Sequence, residues 1–485
     1  MVFPIAGGNE SKGYDISNSL RFNDGDSPQL SLSTGTTNKR TFTVSVWAKR
    51  CTNGARQTIW ASDKNTNDTG DGSKGGSGIH ITFWNDDQLY FGGFGGSFQV
   101  RANGLQRDNA AWYHIVGQVD TEQGTTNDRA KLWINGVQQT TYTSMIGQNT
   151  DVKFATNLIG RQSSTANYSD SDSYMYYTDG YIAELHVIDG QYYDASYFGE
   201  TDNNGVWVPK EYEGSYGSDG YYLEFKQTGT SQNASGIGAD TSGSTNHFAV
   251  SGVDAKDVCI DTPTNNFMTM NPLTTNSRGT FAEGNLMVTT DVQGSDPYGQ
   301  VEFGTFAVNK GKWYYEAKIN SVGSGGALGI GWNERWEAGS YTNGHNNGGS
   351  SGNVMYRSGG TIQIGSSHTQ STGVDSFTSN DIIGVALDLD NDKVYFYKNG
   401  NPQDDPTPDP DDNDGRAVVS TYNNYWTPWM SKDDTNYEST VEFNFGNPTF
   451  TVSSTQADDN GYGNFEYDVP TGYYALCSKN LAEFG

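Results

Sequence analysis

Between Asp381 and Gly400 apolar and polar positions alternate twice, with the reversal over Asp390-Asn391-Asp392-Lys393. Ile383, Val385, Leu387 and Leu389 recur at every second position; past the turn, Val394, Phe396 and Lys398 alternate with Tyr395 and Tyr397. Period two is the strand period, and a short polar connector is hairpin chemistry, so this stretch predicts a hairpin closed by Asn399-Gly400. The same period recurs through the first half of the chain. It marks Ser19-Leu20-Arg21-Phe22, Phe42 to Ala48, Ile79 to Phe83, Trp112 to Val119, Lys131 to Ile134 and Gly180 to Val187. Turn-forming residues, among them Asn135-Gly136, separate these runs at the spacing expected of a sandwich.

No apolar stretch has helical spacing over more than two or three turns, so the expected fold class is all-β, two β-sandwich (jelly-roll-type) domains in tandem. The first is expected over residues 1–225 and the second over 283–485. Residues 226–282 are rich in Gly, Ser, Thr and Asn and read as a connector. Within it His247-Phe248 and Val258-Cys259-Ile260 could pack at a seam. Asp404 to Gly415, with three prolines and clustered like charges, is expected to be an exposed acidic loop.

Composition narrows the function classes. Aromatics reach 13% although hydrophobic residues make up only 34%, the balance of a turn-dense β protein. With 57 acidic against 29 basic residues the formal charge is −28, a field that repels phosphate backbones and anionic membranes. No nucleic-acid partner and no membrane insertion are therefore expected. Cys51, Cys259 and Cys477 are odd in number and widely spaced; they suit reduced, buried thiols and form neither a disulfide framework nor a zinc pattern. The N-terminal residues carry no basic start followed by an apolar run, and no window reaches transmembrane length, so a soluble chain made in a host cytoplasm is expected.

Four motifs of the second half together resemble a SPRY domain over roughly residues 283–450: Gly311 to Glu316 with Ala317 and Ile319, Leu328 to Trp332, the hairpin, and Val441 to Gly446. In the first half Ser45 to Arg50, Ala111 to Asp120, Lys131 to Gln138 and Asp179 to Gln191 resemble, in that order, a laminin-G-like or concanavalin-like jelly roll. Further pieces are similar to recurring segments of marine-phage virion proteins. They are Arg21 to Asp24, Asp189-Gly190-Gln191, Phe198 to Thr201, Val206 to Lys210, Asp261 to Phe267 and the closing Pro470 to Cys477.

Candidate chemistry follows. Acid pairs two residues apart on one strand could flank a glycosidic bond, and Asp388, Asp390 and Asp392 have that spacing. They also bracket the hairpin turn, where Asp caps its own backbone, and Glu211 and Glu213 lie in a Gly- and Tyr-rich loop. No nucleophile elbow, zinc-protease motif or phosphate loop occurs, and His80, His114 and His186 sit on strands as packing residues, so no enzyme is expected. No cofactor is required. A structural calcium is the metal implied by the laminin-G-like resemblance, with Asn23, Asp24 and Asp26 on an early turn and Asp179 at a later strand edge. Trp332 and Trp429 are expected in the core. Trp336, Tyr341, Tyr356, Tyr422, Tyr425 and Trp426 lie in or beside expected loops; Trp336, Tyr341, Tyr356, Tyr425 and Trp426 make up the expected ligand-binding set, since aromatic rings stack on sugars and anchor protein interfaces.

The resemblances imply a virion structural protein, foremost a tail-fibre or receptor-binding component adhering to host-surface glycan or protein. Its partners would be other virion proteins, itself as a homo-oligomer, and the host surface. A capsid decoration or head-fibre protein is the first alternative and a glycan-processing enzyme the second.

Overall fold

In the computed structural model the chain forms two compact units, divided between Thr264 and Asn265. The structure describes residues 13–33, 40–63, 78–93, 98–152, 156–162, 175–274, 278–292, 300–323, 328–334, 352–364, 369–372, 374–403, 416–417, 425–432 and 437–485. The acidic segment 404–415 and the candidates Trp336, Tyr341 and Tyr422 lie outside them. The fold is all-β, two sandwiches in tandem. The single α-helix among the described residues, Ser478–Phe484, is far too short to cross a membrane.

The first sandwich pairs two eight-stranded sheets. In one sheet the order is Val137–Gln138, Ala130–Ile134, Tyr113–Asp120, Thr41–Arg50, Gly180–Asp189, Ser19–Phe22 and Val258–Cys259, with Tyr221–Leu223 also on Gly180–Asp189. The other runs Thr141–Ser144, Gln99–Arg101, Leu89–Gly93, Ile79–Phe83, Gln57–Asp63, Thr156–Ile159, Gln29–Ser33 and Ala249–Ser251. Alternation decides what lies between them. Val44, Val46, Ile115, Leu132, Ile182 and Leu185 of the first sheet meet Leu30, Ile59, Trp60, Ile81, Phe91 and Val100 of the second in one core cluster. Asn135 (φ 49°) and Gly136 (φ 77°) close a two-residue turn between Ile134 and Val137. Both φ values are positive, the geometry in which Asn-Gly serves best.

The expected connector is not one. Residues 226–264 belong to the first unit. Ile237, Phe248 and Val253 plug its core, while Ala249–Ser251 and Val258–Cys259 add an edge strand to each sheet. Polar residues give the segment its shape. Asp240 accepts the backbone N–H of Tyr222 (2.9 Å), Ser242 (2.9 Å) and Asn246 (2.8 Å). A composition typical of a linker here serves local hydrogen bonding, and three apolar plugs suffice to bury it. Residues 265–282 join the second unit, where Phe267, Met268 and Met270 are buried.

The second sandwich has a nine-stranded and a six-stranded sheet. Its signature hairpin forms with Val385 opposite Phe396 and Leu387 opposite Val394, all in the core. Asn399 (φ 51°) and Gly400 (φ 76°) then turn the chain into Asn401–Gln403. Trp313, Tyr315, Trp332, Phe443 and Phe445 fill the centre. Buried beside them, Glu316 accepts N–H groups of Glu466 (2.9 Å) and Tyr467 (2.9 Å), the Asn444 amide (3.1 Å) and the Tyr314 hydroxyl (3.3 Å). Burial pushes its pKa up to about 7 in spite of those four donors. This carboxyl ties the C-terminal extension onto the sheet.

Candidate functional site

Of the three described residues expected to bind ligand, two lie in the core. Trp426 is 1% exposed and Tyr356 is fully buried, both within the second core. Trp426 exchanges backbone hydrogen bonds with Val308 (2.8 and 2.7 Å), and the Tyr356 ring lies edge-on to Phe377 at 5.0 Å. The correction has a simple cause. Positions beside expected loops proved to be inward-facing ends of strands, where a large ring fills the core. Tyr425, next to Trp426, is 37% exposed, the one exposed member among the described residues of that set.

The metal expectation meets a similar outcome. Pairing of Phe22 with Gly180 does bring Asn23 and Asp179 to the same end of two neighbouring strands. The side chains then part. Asn23 Nδ2 donates to Asp26 Oδ2 (2.9 Å) within an exposed turn, whereas buried Asp179 accepts from the Thr52 hydroxyl. Among the described residues no group of three His, Cys, Asp or Glu is placed to hold a metal. The acid triplet serves the turn. Asp388 accepts the N–H groups of Asp390 and Asn391 (3.0 Å each) and pairs with Lys312 at 2.9 Å. Asp390 accepts from Gly311 N–H (3.1 Å), Asp392 occupies a left-handed turn position, and Glu211 and Glu213 are exposed.

The most organised set of outward side chains lies elsewhere, on the outer face of the second sheet of the first sandwich, where Arg56, Trp84 and Arg101 are partly exposed and Tyr90 is buried. Ile79, Ile81 and Phe83 point into the core, so His80, Thr82 and, one step on, Trp84 face outward. On the next strands Tyr90 and Arg101 are cross-strand partners on that same face. Pairing of Gln57 with Phe83 delivers Arg56 beside Trp84. These four side chains form a continuous stack. The Arg56 guanidinium lies 4.0 Å over Trp84, Trp84 is parallel to Tyr90 (5.1 Å, 6°), and the Arg101 guanidinium lies 4.7 Å over Tyr90. Arg56 also covers Tyr176 at 5.3 Å and donates through Nη1 to its hydroxyl (2.8 Å). Arg101 commits Nε and Nη2 to Gln99 Oε1 (2.9 and 2.8 Å). Tyr90 donates to Asp86 (2.6 Å), and burial raises its pKa to about 12. Burial lowers His80 to about 4, so its imidazole is neutral near pH 7. Sequence reasoning missed this ladder. The signal was present, since extending the 79–83 alternation by one residue puts Trp84 outward.

The outer face of the first sheet carries a comparable set of residues, but the chain covers it. His114 stacks on Trp47 (4.7 Å), accepts Trp207 Nε1–H at Nδ1 (2.9 Å) and so donates from Nε2 to Ser45 Oγ (2.9 Å). Burial, then the charge of His186, lowers its pKa to about 3. Glu184 accepts from Tyr222 (2.7 Å) and Tyr14 (3.1 Å) and lies 3.3 Å from His186, itself stacked on Tyr222 at 4.3 Å. Lys49 pairs with Asp261 at 2.8 Å, both essentially without exposure, and Trp112 Nε1–H donates to the same carboxylate (3.2 Å).

Residues 24–196 match the family model described as the Concanavalin A-like lectin/glucanases superfamily, and residues 312–421 match that of the SPRY domain. The first unit carries a concanavalin A-like domain and the second a SPRY domain. No curated protein matches the chain. Among solved structures it is similar to the SPRY domain of human HERC1, with 16% identity, 36% of this chain and 93% of that one covered, and a TM-score of 0.26. It is also similar to the heptameric SAP-like pentraxin of Limulus polyphemus, with 16% identity, 37% and 79% covered, and a TM-score of 0.27. Domains LG4-5 of the mouse laminin alpha1 chain show 10% identity, 90% of each chain covered and a TM-score of 0.30.

Proposed function

We propose that this chain is a virion structural protein, a tail-fibre or receptor-binding component that adheres to host-surface glycan or protein without cleaving it. The observation that carries the adhesive half is the Arg56–Trp84–Tyr90–Arg101 ladder, a preorganised set of rings and guanidiniums in which Arg56, Trp84 and Arg101 are partly exposed. Rigid aromatics and arginines are the side chains that dominate recognition surfaces. The non-hydrolytic half is supported by the carboxylates. Asp388 is taken up by its turn and Asp390 by the N–H of Gly311, and two free, facing acids are what glycoside cleavage requires. The virion half rests on the sequence segments similar to marine-phage virion proteins. In this reading the chain acts as a homo-oligomer among other virion proteins, so many weak contacts add by avidity.

Purified full chain should adhere to host-cell envelopes and release no soluble sugar from them. Release of sugar would establish the enzyme alternative. Protein that ignores every envelope but binds empty capsids would establish the decoration alternative.

A further inference from the structure

We propose that the ladder is a subsite for a carboxylated polysaccharide, with Arg56 taking one uronate carboxylate in a two-point grip. The proposal rests on the adhesive reading and narrows it to a ligand class and a position. The rings themselves point away from neutral sugars. Sugar stacking needs a free aromatic face, but one face of Trp84 is taken by Tyr90 and another contact by Arg56, while Tyr90 lies between Trp84 and Arg101. What remains is guanidinium N–H.

The two arginines are not equivalent. Arg56 spends Nη1 on Tyr176, which leaves Nε and Nη2 with no partner among the described residues. Those two nitrogens share one edge of the plane, and their parallel N–H bonds match the two oxygens of a carboxylate. Stacking on Trp84 fixes the plane beforehand, so little side-chain freedom is lost on binding. Arg101 has already spent its Nε–Nη2 edge on Gln99 and keeps Nη1 for a single, weaker contact. Asp86 is the like charge nearby, and its carboxylate is occupied by the Tyr90 hydroxyl and Gln88 N–H (3.1 Å).

The surroundings favour a polysaccharide over a protein. Among the described residues, none of the exposed large apolar side chains (Leu105, Val137, Tyr197, Val206 and others) belongs to the ladder. A protein interface would want such an apolar anchor; a hydroxylated polymer does not. A net charge of −28 repels polyanions at long range, but screening confines that field to roughly 8 Å at physiological salt, so local guanidiniums govern the contact.

The test titrates the full chain with alginate, carrageenan and dextran oligosaccharides at physiological salt. Alginate should bind and dextran should not. Arg56→Gln should weaken alginate by at least about tenfold, the loss expected of a charge-assisted pair. Arg56→Lys, which keeps charge but not the fork, should also lose several-fold, and Arg101→Gln less than either. Unchanged melting of each variant confirms its fold. Equal binding of dextran would overturn the carboxylate class while leaving glycan adhesion standing. Carrageenan binding tighter than alginate and insensitive to Arg56→Lys would overturn the two-point grip. Envelope adhesion with no affinity for any of the three would overturn the subsite, whereas loss of adhesion altogether would overturn the reading on which it rests.

Discussion

The two outer faces of the first sandwich use the same materials and come to opposite ends. Each sheet turns His, Trp, Tyr and basic side chains outward. On the first sheet the chain folds back over them. Tyr14, Trp207, Tyr222 and Asp261 each complete a hydrogen bond to Glu184, His114 or Lys49 beneath, and the polar groups become interior structure. On the second sheet Arg56, Trp84, Tyr90 and Arg101 satisfy one another by stacking and leave donors over. An aromatic and charged strand face is therefore no evidence of binding until it is known whether the chain itself covers it.

The comparison breaks most easily at the covered face. Asp261→Ala should cost the first unit about 3–5 kcal/mol, because it removes the carboxylate that pairs with the unexposed Lys49 ammonium. Urea unfolding measures this, and a cost below about 1 kcal/mol would mean that the face is open to water. A similar loss, about 3–5 kcal/mol, is expected in the second unit for Trp426→Ala, a core ring, while Tyr425→Ala one residue away should stay within about 0.5 kcal/mol. If the two substitutions cost the same, Trp426 is not the core residue described.

Acid should separate the faces by a smaller margin. His114 and His80 are neutral in the fold, with pKa values of about 3 and about 4 against an ordinary 6.5. Below pH 6.5 the unfolded chain takes up these protons first, so stability is full above that pH and declines towards pH 3. Glu316 has the opposite sign. Its contribution is full below 4.5 and is lost as pH rises through about 7. Calorimetry from pH 7 to 4.5 should then show the first unit losing stability relative to the second, and His114→Gln should reduce the difference. The smallest effect belongs to the open face. Arg56→Gln or Arg101→Gln should change stability by no more than about 2 kcal/mol, since Arg56 gives up two cation–π contacts and Arg101 one, and the consequence should appear in ligand affinity instead.

Much of the architecture was legible beforehand. The 381–400 hairpin, both Asn-Gly turns and the strand histidines follow from local period and turn chemistry, and the burial of Trp332 and Trp429 from the motifs that resemble family strands. The candidate site was less so. Trp426 and Tyr425 are adjacent and chemically alike, yet one is core and the other half-open, a difference of strand parity at the edge of a loop. Residues 226–264 looked like a linker because composition registers few apolar residues. It does not register that Ile237, Phe248 and Val253 all reach one core.

The sequence by itself determined the strand period, the turns that reverse it and hence two all-β sandwiches, since alternation and positive-φ turn residues act between near neighbours. Only the tertiary structure decided which outer face is tied down by distant segments and which leaves arginine donors over. Covering the first sheet depends on residues as distant as Asp261 returning to Lys49, and assembling the ladder depends on register placing Arg56, Trp84, Tyr90 and Arg101 side by side. Those contacts are fixed by packing across the whole sandwich, and no local window of the chain contains them.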